Sequence, residues 1–392
     1  MSYDFSKLHN RKGTGCLKYD FAIDRGKPAD VLPFWVADMD FVVPQEVINA
    51  LVTRSKEGIF GYSETGHEYF LTLQKWFQEK FSWSVQEEWL VKTPGVVFAL
   101  ATAVKAFTEY GEAVLIQQPV YYPFSEVIEK NGRHLVNSPL VYDGLNYRMN
   151  FQDFEQKIIS EKVKLFILCN PHNPVGRVWS IEELRILGDI CLRHGVIVIS
   201  DEIHADFVWG NMQHTVFASL GSAYAENSVV CTSPSKSFNL AGLQVSNVFI
   251  SNKNLREKFK KTIVQVGYSQ LNALGLVACE AAYKFGDKWL KDVKEYIYQN
   301  IIFTEIFLQN EIPQVKFARP QGTYLLWLDF SAFSVSAKLR EKWLLEDAKL
   351  WLDSGRIFGK EGNDFERINV ACPRAFLEKG LKQLAQAISK LK

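Results

Sequence analysis

The chain has 392 residues, with 45 basic against 44 acidic side chains and a formal charge of +1. Hydrophobic residues make up 47% and charged residues 23%, the balance of a folded globular protein and not of a disordered one. So small a charge leaves no surplus of Lys and Arg to neutralise phosphates, which excludes a general nucleic-acid or anionic-membrane binder. At about 150 residues per domain, the length allows two or three domains, or one large α/β unit with an appendage. None of the six cysteines stands in a C-x-x-C arrangement, so no zinc site or redox dithiol is expected, and no other metal. Cys169, Cys191 and Cys231 lie in or beside apolar runs and read as small buried hydrophobes. The first residues lack a leader's charged-then-apolar pattern, and no uninterrupted apolar run reaches the roughly 18 residues of a membrane span. The cytoplasm is the expected location.

In chain order, Thr93-Pro94 is followed by Gly95-Val96-Val97, which opens a helical run through Phe107. Short β-rich runs then recur, each ending in polar, Gly or Pro residues. Ala113-Val114-Leu115-Ile116 runs into Gln117-Gln118-Pro119, and Leu165-Phe166-Ile167-Leu168-Cys169 into Asn170-Pro171-His172-Asn173-Pro174. Val196-Ile197-Val198-Ile199 leads to Ser200-Asp201-Glu202, and Val229-Val230-Cys231 to Thr232-Ser233-Pro234-Ser235-Lys236. Continuous apolar strands spaced by helix-length segments read as a mainly parallel sheet with helices on both faces. Ligands of such sheets bind beyond the carboxyl ends of the strands, where all four polar segments fall. From about Asp287 the pattern shifts to amphipathic helices over residues 288–309, 337–353 and 375–390, with a strand over 322–328. This reads as a smaller α+β domain, completed by the N-terminal arm. The expected division is an arm over 1–45, a large domain over 46–286 and a small domain over 287–392.

The polar segments carry the candidate chemistry, and each residue has a plain reading beside a functional one. Lys236, just past a buried strand, is either a loop lysine or an amine that condenses with an aldehyde cofactor and shuttles a proton. Ser233 and Ser235 beside it offer hydroxyls to a phosphate. Asp201 is either a helix cap or a buried carboxylate paired with a protonated ring nitrogen. Asn173 forms a turn or donates to a phenolic oxygen. The amides at Gly95, Val96 and Val97 start a helix or bind phosphate there.

Together these residues form an ordered set: Asn-Pro-x-Asn-Pro-x-Gly, then Asp-Glu-x-His, then Ser-x-Ser-Lys, then Asn-x-x-x-Pro-Arg from Asn369 to Arg374. In this order the chain resembles, over essentially its whole length, the fold-type I enzymes that use pyridoxal 5′-phosphate, the aminotransferase class I/II superfamily. The resemblance implies Lys236 as the lysine that binds the cofactor, Asp201 against its pyridine nitrogen, Asn173 near its ring hydroxyl and Tyr121 stacked on its ring. It further implies Arg374 gripping the substrate α-carboxylate, a task that suits a bidentate guanidinium. Phe34-Trp35-Val36-Ala37-Asp38-Met39-Asp40-Phe41, Gly61-Tyr62-Ser63, Asp201-Glu202-Ile203-His204-Ala205-Asp206 and the segment Ser235 to Gln244 are similar to the MalY/PatB group of cystathionine and cysteine-S-conjugate β-lyases. His204 stands where aminotransferases commonly carry a Tyr near the ring oxygen and is expected to touch the cofactor, and Gln244 stands where many carry a phosphate-binding Arg. The implied activity is α,β-elimination from a sulfur amino acid, with Lys236 taking the Cα proton and either Lys236 or Tyr121 as the catalytic acid that protonates the leaving sulfur. Amino transfer and a regulatory, protein-binding role on the same fold are the alternatives. Asn173, Trp35 and Asp38 are expected near the substrate, Arg356 is a weaker candidate for its distal group, and Tyr62 is expected to reach across from the second subunit of a homodimer.

Overall fold

Short apolar runs line up side by side at the centre of the computed structural model, which describes residues 3–390. The strands in chain order are β1 (Leu32–Pro33), β2 (Leu90–Thr93), β3 (Ala113–Ile116), β4 (His134–Asn137), β5 (Val141–Tyr142), β6 (Tyr147–Arg148) and β7 (Leu165–Cys169). They continue as β8 (Ile197–Asp201), β9 (Ser228–Thr232), β10 (Ser246–Phe249), β11 (Leu325–Asp329), β12 (Leu350–Trp351), β13 (Asp353–Ser354) and β14 (Phe365–Asn369). Seven of them form one sheet in the order β2-β10-β9-β8-β7-β3-β4. Only β10 runs against its neighbours, and the rest of the ladder is parallel. This is the expected mainly parallel sheet.

Both faces of the sheet are dry, and the period of two divides the strand residues between them. In β7, Leu165, Ile167 and Cys169 pack with Val96, Leu100 and Phe259, on the side of the helix Val96–Phe107. Phe166 and Leu168 face the other way, onto Leu184, Leu187 and Cys191 of the helix Ile181–His194. That helix starts in a capping box, in which the Ser180 hydroxyl accepts from the Glu183 amide and the Glu183 carboxylate from the Ser180 amide. All six cysteines are free, and Cys169, Cys191 and Cys231 are buried among these apolar side chains. No helix among the described residues is long and apolar enough to cross a membrane.

Beyond the sheet, the 25-residue helix Asp287–Glu311 buries Trp289, Leu290, Val293, Ile297, Ile301 and Leu308, a stripe at helical spacing. This stripe packs in one core with β11, β14 and the helix Arg374–Ser389. The arm joins the same region, because β1 lies parallel to β12, with Leu32 opposite Leu350. One expected element is corrected: the helix expected over 337–353 ends at Glu346. The chain turns at Lys349, with φ of 53°, and Leu350–Trp351 becomes a strand. Ala348, Leu350, Trp351 and Leu352 are all buried, and the Leu32 and Phe34 amides donate to the Lys349 and Trp351 carbonyls. Tertiary pairing with the arm outweighs the local helical periodicity.

β14 is fully buried, and its two faces have different tasks. On one face Glu366 pairs with Arg340 at 2.8 Å, each side chain 1% exposed. Arg340 also donates to the carbonyls of Asn363 and Phe365. Burial pushes the Glu366 carboxyl up to about 8 even with Arg340 beside it. Replacing Arg340 alone strands this acid, and Arg340→Leu is expected to lose about 3–5 kcal/mol of stability in urea unfolding. The double replacement Arg340→Leu/Glu366→Leu should recover most of that loss.

Candidate active site

Cys169 at the end of β7 stands opposite Asp201 at the end of β8, which in turn stands opposite Cys231 in β9. The loops that follow therefore open on one edge of the sheet, the carboxyl edge. Past β9, Ser233 caps the short helix Pro234–Ser237, its hydroxyl oxygen accepting from the Ser235 amide and lying 2.9 Å from the Ser235 hydroxyl. Ser233 also donates to the Val245 carbonyl, so this hydroxyl is engaged within its own loop. Lys236 follows on that helix and donates from Nζ to the Ala37 carbonyl at 2.6 Å. Burial lowers the Lys236 amine to about 8; Arg367 lowers it further, while Asp38 and Asp201 oppose the shift.

Asp201 is buried, and its Oδ1 accepts from the Ile203 amide at 3.1 Å. Among the described residues no cationic side chain stands within ion-pair distance of it. Burial pushes its carboxyl up to about 7, against the pull of the Ile203 amide and Lys236. Asn173 is fixed by three contacts. Its amide donates to Cys169 Sγ, its carbonyl accepts from the Tyr121 amide, and its Oδ1 accepts from Arg367 at 3.0 Å. Tyr121 is thereby pinned beside Asn173, and burial pushes its hydroxyl far above the usual value. His204 is buried with Nδ1 unpartnered, 5.9 Å from the Tyr324 ring, and burial drives its imidazole well below its usual value. Lys236 and Arg367 add to that shift, which keeps His204 neutral.

At the start of the helix Val96–Phe107, Gly95 has φ of 139°, and a Cβ built there would meet nothing within 4 Å. The space beside Gly95 at this helix start is therefore open, and the first amides of a helix suit an anion. Gln244 is exposed, in the left-handed region at φ of 52°.

The arm enters the site mainly through its backbone. Arg367 donates to the Trp35 carbonyl, Asn369 to those of Val36 and Asp38, and Tyr324 to that of Ala37. Asn239 receives the Met39 amide and donates to the Met39 and Phe41 carbonyls. The Trp35 ring stacks on Trp351 at 4.3 Å. The Trp35 carbonyl, and not its ring, meets Arg367. Asp38 pairs with Arg11 and Lys18; burial works against its ionisation, but the two cations outweigh it and hold the carboxyl below its usual value.

Three expected placements differ. Arg374 is not in this cluster: as the first residue of the helix Arg374–Ser389 it turns to the helix Asp287–Glu311, donating to Asn300 at 2.7 Å and lying over the Phe303 ring at 4.4 Å. The guanidinium at the site is that of Arg367, on the face of β14 opposite Glu366, bonded to Asn173, the Trp35 carbonyl and Asp353. Arg356 is half exposed and pairs with Glu341. Tyr62 is 96% exposed, and the single chain does not bring it into the buried cluster. Sequence reasoning missed Arg367, Tyr324 and Asn239. For Arg367 a signal existed, since Arg367 and Asn369 alternate with Glu366 and Ile368 in a strand that the fold buries on both faces.

The cluster fits pyridoxal 5′-phosphate. Lys236 offers an amine to its aldehyde, the uncompensated Asp201 carboxyl suits a protonated ring nitrogen, Asn173 suits the ring oxygen, and the open helix start at Gly95 suits the phosphate.

The aminotransferase class I and II family model matches residues 29–384. Cystathionine beta-lyase PatB of Bacillus subtilis (strain 168) is 43% identical over 386 residues, covering 98% of this chain and 100% of that protein. Protein MalY of Escherichia coli (strain K12) is 34% identical over 388 residues, covering 98% and 99%. Among solved structures, cystalysin from Treponema denticola, which contains a pyridoxal 5′-phosphate cofactor, superposes with a TM-score of 0.97 at 37% identity, covering all of both chains. The chain therefore belongs to the aminotransferase class I and II family, with the fold-type I architecture, and within it to the MalY/PatB group.

Proposed function

We propose that the protein is a pyridoxal 5′-phosphate-dependent carbon–sulfur β-lyase. It takes a cystathionine- or cysteine-type amino acid and water to a thiol or sulfide, pyruvate and ammonia. The observation that carries this reading is the pairing of an amine lowered to about 8 at Lys236 with a buried, uncompensated carboxyl at Asp201. The name of the Bacillus subtilis relative supports the lyase class, and that of the cystalysin structure supports the cofactor. Bound in this cluster, the cofactor supplies an electron sink for the pair released when the substrate's Cα–H bond breaks.

The chain's own residues do the rest. Arg367, held by Asn173 and the Trp35 carbonyl, receives the α-carboxylate and fixes the Cα–H bond in line for proton removal. Lys236 takes that proton, a task suited to an amine near neutrality. Sulfur then leaves from Cβ with the bonding electrons. The ammonium of Lys236 returns the proton to it, because the Tyr121 hydroxyl, raised by burial, is a far weaker acid. Asp201 would face the ring nitrogen and favour its protonated form, Tyr121 would pack on the ring, and the amides at Gly95, Val96 and Val97 would hold the phosphate with Ser235. Ile59, Phe60 and Tyr62 form an exposed apolar run in the single chain; a second copy would cover it, and Tyr62 would there serve the phosphate of that copy's cofactor. The cytoplasm is the compartment this reading assigns.

A pyruvate-release assay over a small panel of sulfur amino acids tests the reading. Turnover is expected without any added 2-oxo acid, and strict dependence on 2-oxoglutarate would show an aminotransferase instead. Lys236→Ala is expected to lose the lysine-dependent visible absorbance and to slow pyruvate release by about a thousandfold or more. Arg367→Ala should lower kcat/KM by roughly a hundredfold, mostly through KM, with Arg374→Ala within about twofold of the parent.

A further inference from the structure

Immediately after Asp201, Glu202 turns to the other face of the sheet, where its side chain is completely buried. Its amide continues the ladder by donating to the Cys231 carbonyl. Three donors converge on its carboxylate. Ser200 Oγ at 2.8 Å and the Phe217 amide at 2.9 Å reach Oε1, and His214 Nε2 at 2.7 Å reaches Oε2. A capping or turn role does not call for so complete a shell in the core. His214 is itself buried, and its Nδ1 has no partner. With Nδ1 unpartnered, Nε2 is the ring nitrogen through which His214 donates to Glu202. The Glu202 carboxylate thus lies one residue from the acid proposed to face the cofactor.

That charge is felt on the site side of the sheet. Glu202 makes Asp201 harder to ionise, and the buried Cys231 thiol is pushed up by burial and by Asp201 and Glu202 together. The other groups facing these acids are Lys236, Tyr121 and Cys169 around Asp201, and Asp206 with Lys294 and Lys80 on the His214 side. Asp206 is hydrogen-bonded by Ser237, the residue after Lys236.

We infer that Glu202, held by His214, Ser200 and the Phe217 amide, is a positioning residue that acts through Asp201 to set how firmly the cofactor's ring nitrogen keeps its proton. The inference rests on the proposed placement of pyridoxal 5′-phosphate against Asp201. A fixed negative charge behind Asp201 favours the cationic, protonated form of whatever lies in front of it, without touching it.

The test titrates the visible absorbance of the holoenzyme against pH and follows cofactor release by dialysis. Glu202→Gln keeps the shape and the hydrogen-bond partners but removes the charge. The protonated cofactor then loses support, so the midpoint of the absorbance change is expected to fall by roughly half a pH unit or more. His214→Gln keeps a donor to Glu202, and Ser200→Ala removes a neutral one; both are expected to stay within about 0.2 units of the parent midpoint. An unmoved midpoint in cofactor-bearing Glu202→Gln overturns the inference, as does an equal shift in Ser200→Ala. Failure of Glu202→Gln to fold or to take up cofactor overturns it too, since that outcome marks Glu202 as a structural prop. A parent enzyme with no lysine-dependent visible band would instead defeat the cofactor placement itself, which separates the two failures.

Discussion

Charge buried at the carboxyl edge of the central sheet is the constraint on which the rest of the structure depends. An ion removed from water without a partner costs several kcal/mol, so each one here is met by a group from a distant stretch of chain. The Arg367 guanidinium is answered by Asn173, the Trp35 carbonyl and Asp353, and Asp38 by Arg11 and Lys18. Asp201 is the exception, with one backbone amide and, among the described residues, no cation within ion-pair distance. A cost left unmet in an otherwise compensated cluster is the mark of a functional group, because a ligand can supply what the protein withholds. Its neighbour Glu202, three times hydrogen-bonded on the far face, shows that the chain is able to satisfy a buried acid at this place.

The second ordering principle is the treatment of the arm. Residues 35–41 are held by their main chain: Arg367, Asn369, Tyr324, Lys236 and Asn239 all bond to carbonyls of this segment. Main-chain groups carry no rotamer freedom, so a wall built from them stays where it is put. The side chains of the same segment are thereby released for packing, as in the stacking of Trp35 on Trp351.

Much of this was legible in the sequence. The runs ending at Cys169, Asp201 and Thr232 declared a parallel sheet because continuous burial needs no other pattern, and the polar residues after them had to share one edge. Lys236, Asp201 and Asn173 followed from their places on that edge. Arg374 and Arg367 lie on one segment, and motif spacing alone does not say which of the two turns inward; the strand's alternation and the start of the next helix decide it. The strand Leu350–Trp351 was hidden for a related reason, since its partner is the arm at Leu32–Pro33, beyond the reach of any local pattern. The exposed Tyr62 belongs to a different order of organisation, which a single chain does not complete.

The distance in sequence between the parts that meet in the cluster bears on how the protein is made. Arg367 contacts the Trp35 carbonyl across 332 residues, and Asn369 contacts the Val36 carbonyl across 333. During synthesis the arm emerges first, and its Ala37, Met39 and Phe41 carbonyls find donors in Lys236 and Asn239. Arg367 and Asn369 follow only after all the strands of the central sheet. In a nascent chain the arm can thus be held by Lys236 and Asn239 before Arg367 and Asn369 complete the wall.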